Sequence, residues 1–239
     1  MDKARVSVVV AALAGALLLS VSPASADEGA AAAGRKVDSA LTQAVQRHLK
    51  SLGFASVVVD GRSSREFKNI LCSWREAVGK PLSRKQLLPA EADRILDMTQ
   101  LPKPARGLAV GLNVNKTCQS MAIVKKQPGQ PRQYGRIFRV STGVAGFDTS
   151  PGLHVIQRRI DGLHNSTGYP SPSGWNMYRP AYFTSWGEAF HGSPSDTSVS
   201  WAPSSHGCVR MLQKDIDYLW RSGANSIGTQ VYVYGSWQG

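Results

Sequence analysis

Long apolar runs are nearly absent from this chain of 239 residues. The one run that stands out, Val6 to Leu19, falls short of the roughly 20 residues a membrane-spanning helix needs. It follows Lys3 and Arg5 and precedes Ala24-Ser25-Ala26, a small-x-small pattern of the kind a signal peptidase reads. The sequence therefore predicts a signal peptide over 1–26 and an exported mature chain. No cysteine lies near that site, which excludes lipid attachment there. Acidic side chains are also scarce, 16 against 28 Lys and Arg, and loss of Lys3, Arg5 and Asp2 with the leader takes the net charge from +12 to +11. The basic residues are scattered, with no finger spacing, RNA-binding signature or basic helix. That excludes a nucleic-acid reader and leaves a diffuse attraction to a polyanionic surface such as a cell wall.

Composition divides what remains. Residues 27–37 are rich in alanine and glycine and read as a flexible lead-in. Over 38–100 the period is helical: Val37, Leu41, Val45, Leu49 and Leu52 recur at three- and four-residue spacing and stop at Gly53. Ser63 with Glu66 reads as a capping box ahead of an apolar face of Phe67, Ile70, Leu71, Trp74 and Val78. A third helix is expected near Pro89, carrying Ala92, Ile95 and Leu96. Leu101-Pro102-Lys103-Pro104 opens a stiff linker over 101–107. Beyond it, over 108–236, short apolar segments at 110–114, 121–124, 137–140, 153–156 and 231–234 predict a mainly-β domain with one helix bearing Leu212, Ile216, Leu219 and Trp220. Residues 161–179, rich in Gly, Ser, Pro and Asn, should form a long surface excursion. The predicted fold class is α+β.

Chemistry concentrates in Ser205-His206-Gly207-Cys208-Val209-Arg210, with His191-Gly192 seventeen positions before the cysteine. A cysteine attacks as thiolate, which calls for a base or a positive environment to lower its pKa, and a neighbouring glycine lets a carbonyl approach backbone N–H groups. A lone cysteine in a turn is more often a buried structural thiol; two histidines and two glycines in the same segment favour catalysis. Reading His191, His206 and Cys208 as zinc ligands finds no support in H-E-x-x-H or C-x-x-C spacing, so neither metal nor cofactor is expected.

On these residues the chain resembles the L,D-transpeptidases with a YkuD-type catalytic domain, whose signature is a His and then [Ser/Thr]-His-Gly-Cys, commonly with Arg following. Ser141-Thr142-Gly143 and Thr149-Ser150-Pro151-Gly152 are similar to the family's S-T-G and T-P-x-G segments, with Ser150 an extra or substituted residue, and 177–192 is similar to its aromatic strand before His-Gly. The resemblance implies a β-sandwich, with Cys208 as nucleophile, His191 as general base and acid, and the Gly192 carbonyl orienting His191. His206, Gly207 and Cys208 would supply oxyanion-hole N–H groups. His206 is the alternative base, but adjacency in sequence is poor evidence of it. Ser205, Arg210, Tyr182, Trp186 and Trp201 are expected to bind substrate; Arg210 either clamps a carboxylate or stiffens the loop. A papain-like peptidase would place its cysteine before its histidine, the reverse of this order.

The resemblance implies attack on the peptidoglycan stem tetrapeptide at the carbonyl of its third residue, release of D-alanine and transfer of the acyl group to a second stem. Water as acceptor would make the enzyme an L,D-carboxypeptidase, an amine-bearing protein would make it a wall-attachment catalyst, and loss of catalysis would leave a wall-binding protein. Carbapenem-class β-lactams are the expected inhibitors, and a monomer is expected. The three helices look like a peptidoglycan-binding module, with a helical buttress as the alternative. With Cys208 free for catalysis, an oxidising compartment predicts a Cys72–Cys118 disulfide; the alternative is two small buried side chains in separate cores.

Overall fold

The computed structural model describes residues 36–238; the predicted leader and nearly all of the lead-in lie outside the described residues. Three helices come first: α1 (Ser39–Ser51), α2 (Arg65–Ala77) and α3 (Pro89–Asp97). Asp38 caps α1 by accepting the Leu41 N–H at 2.8 Å, and Lys50 sits in the last turn, where positive charge suits the helix dipole. The cap of α2 is Ser64, not Ser63. The helix starts at Arg65, so Ser64 holds the position whose hydroxyl reaches the Phe67 N–H, at 3.1 Å.

Ten strands follow among the described residues: β1 (Gly111–Asn115), β2 (Ser120–Lys125), β3 (Gln133–Arg139), β4 (Gly152–Val155), β5 (Arg158–Arg159), β6 (Leu163–His164), β7 (Met177–Tyr182), β8 (Ala189–Gly192), β9 (Val209–Met211) and β10 (Gln230–Tyr234). The first sheet runs β3-β2-β1-β10-β4, and the second β5-β7-β8-β9 with β6 also on β7. Both are mixed: β1 pairs with β10, and β8 with β9, in parallel. Helix α4 (Gln213–Ser222) follows β9 and ends at Gly223, which takes the left-handed conformation an L side chain would resist.

One core lies between the sheets and α4. It takes Leu112 and Val114 from β1, Met121 and Ile123 from β2, Phe190 from β8, Val209 and Met211 from β9, and Ile216 and Leu219 from α4. Strand period two sends the intervening residues the other way. Ala122 and Ile137 join Leu49, Phe54, Phe67, Leu71, Trp74 and Ile95 in a second core, so the helices complete their packing on the outer face of β2 and β3. The loop after α1 also bonds the edge of β3, with the Ala55 N–H on the Ile137 carbonyl and the Ile137 N–H on the Gly53 carbonyl. Cys72 on α2 and Cys118 in the β1–β2 turn are disulfide-bonded, both fully buried, with Cα atoms 5.4 Å apart.

Candidate active site

The parallel pair β8–β9 brings the two motifs together: His191 is in register with Arg210, and Cys208 immediately precedes β9. The loop carrying Cys208 is pinned from several sides. Thr142 O accepts the Ser204 and Ser205 N–H groups, Ser141 exchanges backbone bonds with Arg210, and the Val144 N–H reaches Ser205 O. Thr149 Oγ1 donates to Gly207 O at 2.8 Å and accepts the Gly143 N–H at 2.9 Å. Gly143 is needed here because a Cβ would lie 1.8 Å from Phe147 O. Ser141-Thr142-Gly143 and Thr149 thus position the Cys208 loop from a neighbouring loop.

His191 is buried, with Nδ1 3.0 Å from its partner, the Gly192 carbonyl. A carbonyl only accepts, so Nδ1 carries the proton and Nε2 keeps a lone pair for the thiol. Burial is the main cause that pushes the His191 pKa down to about 4, and it pushes the Cys208 thiol up to about 11. The expected lowering of the thiol is therefore not what the resting site provides. The Glu188 charge also opposes the thiolate, while Arg210 and a backbone bond from Ala189 favour it without prevailing. The free site holds a neutral thiol and a neutral imidazole.

Two cavities meet at Cys208. The smaller, about 60 Å³, is lined by His191, Ser205 and Arg210 with Ser166, Tyr169 and Asn176 from the excursion. The larger, about 510 Å³, is lined by Glu188, Trp186, Tyr182, Arg158 and His164, among others. Both share His206, whose ring stacks on Tyr169 at 4.2 Å and meets Phe147 edge-on at 4.8 Å. This aromatic packing fixes His206 as part of the wall between them.

The remaining expected residues divide. Ser205 is buried and serves the loop itself, donating to Cys208 O at 2.5 Å and accepting the Gly207 N–H at 3.2 Å. That bond occupies the Gly207 N–H, which was expected to serve an oxyanion. Gly207 instead supplies conformation, with φ +106 and no room for a Cβ within 2.9 Å of Glu188 Oε1. Arg210 donates to Ser204 O at 2.7 Å, stiffening the loop from the floor of the small cavity. Tyr182 lies buried in the larger cleft under the Arg158 guanidinium, 4.0 Å from its ring centre. Trp186 is 68% exposed at the cleft mouth. Trp201 is elsewhere: its ring takes the Arg65 guanidinium at 4.4 Å and packs on Trp237, and its carbonyl accepts from Asn69 of α2.

The model of the L,D-transpeptidase (YkuD) catalytic domain matches residues 110–233, more than half of the chain. The chain belongs to the YkuD L,D-transpeptidase family. Among solved structures, an L,D-transpeptidase of Xylanimonas cellulosilytica is 25% identical with a TM-score of 0.58, over 81% of this chain and 92% of that one. That share exceeds the catalytic domain, so the likeness extends onto the helices. An L,D-transpeptidase of Stackebrandtia nassauensis is 24% identical over 83% and 92% of the two chains, with a TM-score of 0.46. One of Mycobacterium smegmatis is 20% identical over 52% and 58%, with a TM-score of 0.42. Comparison with curated proteins returned no match.

Sequence reasoning missed three features of this YkuD site. Glu188 is buried in the cleft beside Cys208; Ser150, the residue out of step with the family pattern, donates both its N–H and its hydroxyl to Glu188 Oε1 at 3.0 and 3.1 Å. His164, on the two-residue strand β6, lines the larger cleft. No pattern marks a lone Glu or Ser; only the spacing irregularity at Ser150 hinted at a local role.

Proposed function

We propose that this chain is an exported L,D-transpeptidase that joins peptidoglycan stems through a thioester on Cys208. The observation that carries this reading is the free thiol at the junction of two cavities, with a buried, carbonyl-oriented imidazole lining one of them. Because thiol and imidazole rest neutral, the proton passes from Sγ to His191 Nε2 as sulfur attacks the carbonyl of the third stem residue. The backbone N–H groups of His206 and Cys208 are assigned to the tetrahedral oxygen, that of Gly207 being already donated. His191 then protonates the departing D-alanine amine. The side-chain amine of a second stem resolves the thioester and leaves a cross-link between two third residues.

Export is supported by the leader pattern over 1–26 and retention at the wall by the mature charge of +11. The helices serve as the wall-binding module in this reading. A carbapenem acylates the same sulfur, its strained carbonyl standing in for that of the stem. Mass spectrometry of products from purified mature protein and a disaccharide tetrapeptide tests the assignment. Cross-linked dimer with free D-alanine is expected; tripeptide alone would make the enzyme a carboxypeptidase, and unchanged substrate would refute catalysis.

A further inference from the structure

Glu188 is only 6% exposed, yet just one of its oxygens is satisfied. Oε1 accepts the two bonds from Ser150, and Oε2 is buried without a hydrogen-bond partner. The Trp186 indole N–H comes near enough to favour the carboxylate, without a bond of normal geometry to Oε2. A carboxylate oxygen sealed from water with no donor is costly, and such a group calls for a donor that arrives from outside. Its position says where: Glu188 lines the larger cleft, whose lining omits His191, while His191 lines the smaller cavity, whose lining omits Glu188. The two groups thus line different cavities, both of which reach Cys208. Trp186, two residues before Glu188 and 68% exposed, lines the same cleft.

We propose that Glu188 is the base for the acceptor amine, taking a proton at Oε2 from an ammonium group that enters by the larger cleft. This rests on the transpeptidase reading. The acceptor arrives as R–NH₃⁺ and gives one proton to Oε2, leaving R–NH₂ and a neutral carboxylic acid. The nitrogen lone pair forms the C–N bond at the thioester carbonyl and the C–S bond breaks. The second nitrogen proton goes to the departing sulfur and restores the thiol. Glu188 returns its proton to water when the product leaves. Burial raises the carboxyl above its ordinary range, which makes it a better proton acceptor than an exposed glutamate. The other charged or titratable groups facing this space are His154, Asp148, Arg158, His164, Tyr169, Tyr182, His206 and Cys208.

The test compares two acceptors on the acyl-enzyme formed from a disaccharide tetrapeptide: the ε-ammonium of N-acetyl-lysine, and hydroxylamine, which is largely neutral at pH 7 and needs no base. Glu188→Gln keeps the size of the side chain and its Oε1 acceptor. The expected result is a loss in alkylamine transfer on the order of 10² to 10⁴, with a far smaller loss for hydroxylamine, so the ratio of the two shifts by about 10²-fold or more. Equal losses with both acceptors, or no loss, would overturn the role. Should Glu188→Gln fail to fold, Ser150→Ala serves: removing one donor from Oε1 makes the carboxyl more basic, so the acidic limb of alkylamine transfer moves to higher pH and that of hydroxylamine does not. An unmoved limb would overturn the role. Absence of any acyl-enzyme in the wild type would instead refute the transpeptidase reading, and this role with it.

Discussion

The neutral resting pair predicts how Cys208 reacts with iodoacetamide as pH is changed. With the thiol at about 11, its thiolate share at pH 7 is about 10⁻⁴, against roughly 3% for an ordinary cysteine at about 8.5. That is about a 300-fold deficit in the reactive form. A more basic thiolate is a better nucleophile, and a Brønsted slope of about 0.4–0.5 over the difference returns about tenfold. Cys208 should therefore be alkylated about 30-fold more slowly than free cysteine at pH 7. The shape is more telling than the level: the rate should climb tenfold per pH unit from pH 6 to 10 without a plateau, because His191, at about 4, stays uncharged throughout. Intact-mass kinetics on the unreduced protein reads this cleanly, since Cys72 and Cys118 are bonded to each other. A rate that is flat between pH 5 and 8 and exceeds that of free cysteine would show a thiolate–imidazolium pair and refute the neutral site.

Other expectations follow from the same geometry. Cys208→Ala should abolish D-alanine release while sacculus pelleting still retains the protein; activity near the wild-type level would remove the cysteine from the mechanism. His191→Ala should slow single-turnover acylation by a carbapenem on the order of 10² to 10⁴. His206→Ala should cost much less, since its ring packs between Tyr169 and Phe147 and its backbone N–H survives the change; the reverse order would move the base to His206. Replacing Cys72 and Cys118 together by alanine should lower stability in urea unfolding by about 4 kcal/mol, from the closure entropy of a loop spanning 46 residues. A loss below about 1 kcal/mol would mean that the bridge adds little.

Local features of the fold were legible where they depend on short-range pattern. The apolar spacing from Leu41 to Leu49, ended by Gly53, marks α1 because one helix face must be buried, and the α2 cap was misread by a single residue because Ser63 and Ser64 are chemically alike. The parallel pairs β1–β10 and β8–β9 were not legible, because their partners are far apart in sequence and strand periodicity carries no register. His191 and Cys208 were readable from a motif, but not the state of their protons. Burial sets that state, with Met177, Tyr182 and Ala189 packed about Cys208, and tertiary packing creates it. Trp201 shows the opposite failure: proximity to the catalytic segment in sequence suggested a cleft wall, while Arg65 and Trp237 hold the ring elsewhere. Glu188 had no signature at all, being a single acid between Gly187 and Ala189 whose meaning comes from Ser150 and Cys208 across the fold.

The most direct measurement is to trap the acyl-enzyme. Purified mature protein, mixed with disaccharide tetrapeptide without added acceptor, quenched in acid and digested, should yield the peptide containing Cys208 with the added mass of the substrate less D-alanine, and hydroxylamine should remove that mass. An adduct on any other residue, or product formation with Cys208 left unmodified at every quench time, would contradict a thioester on Cys208.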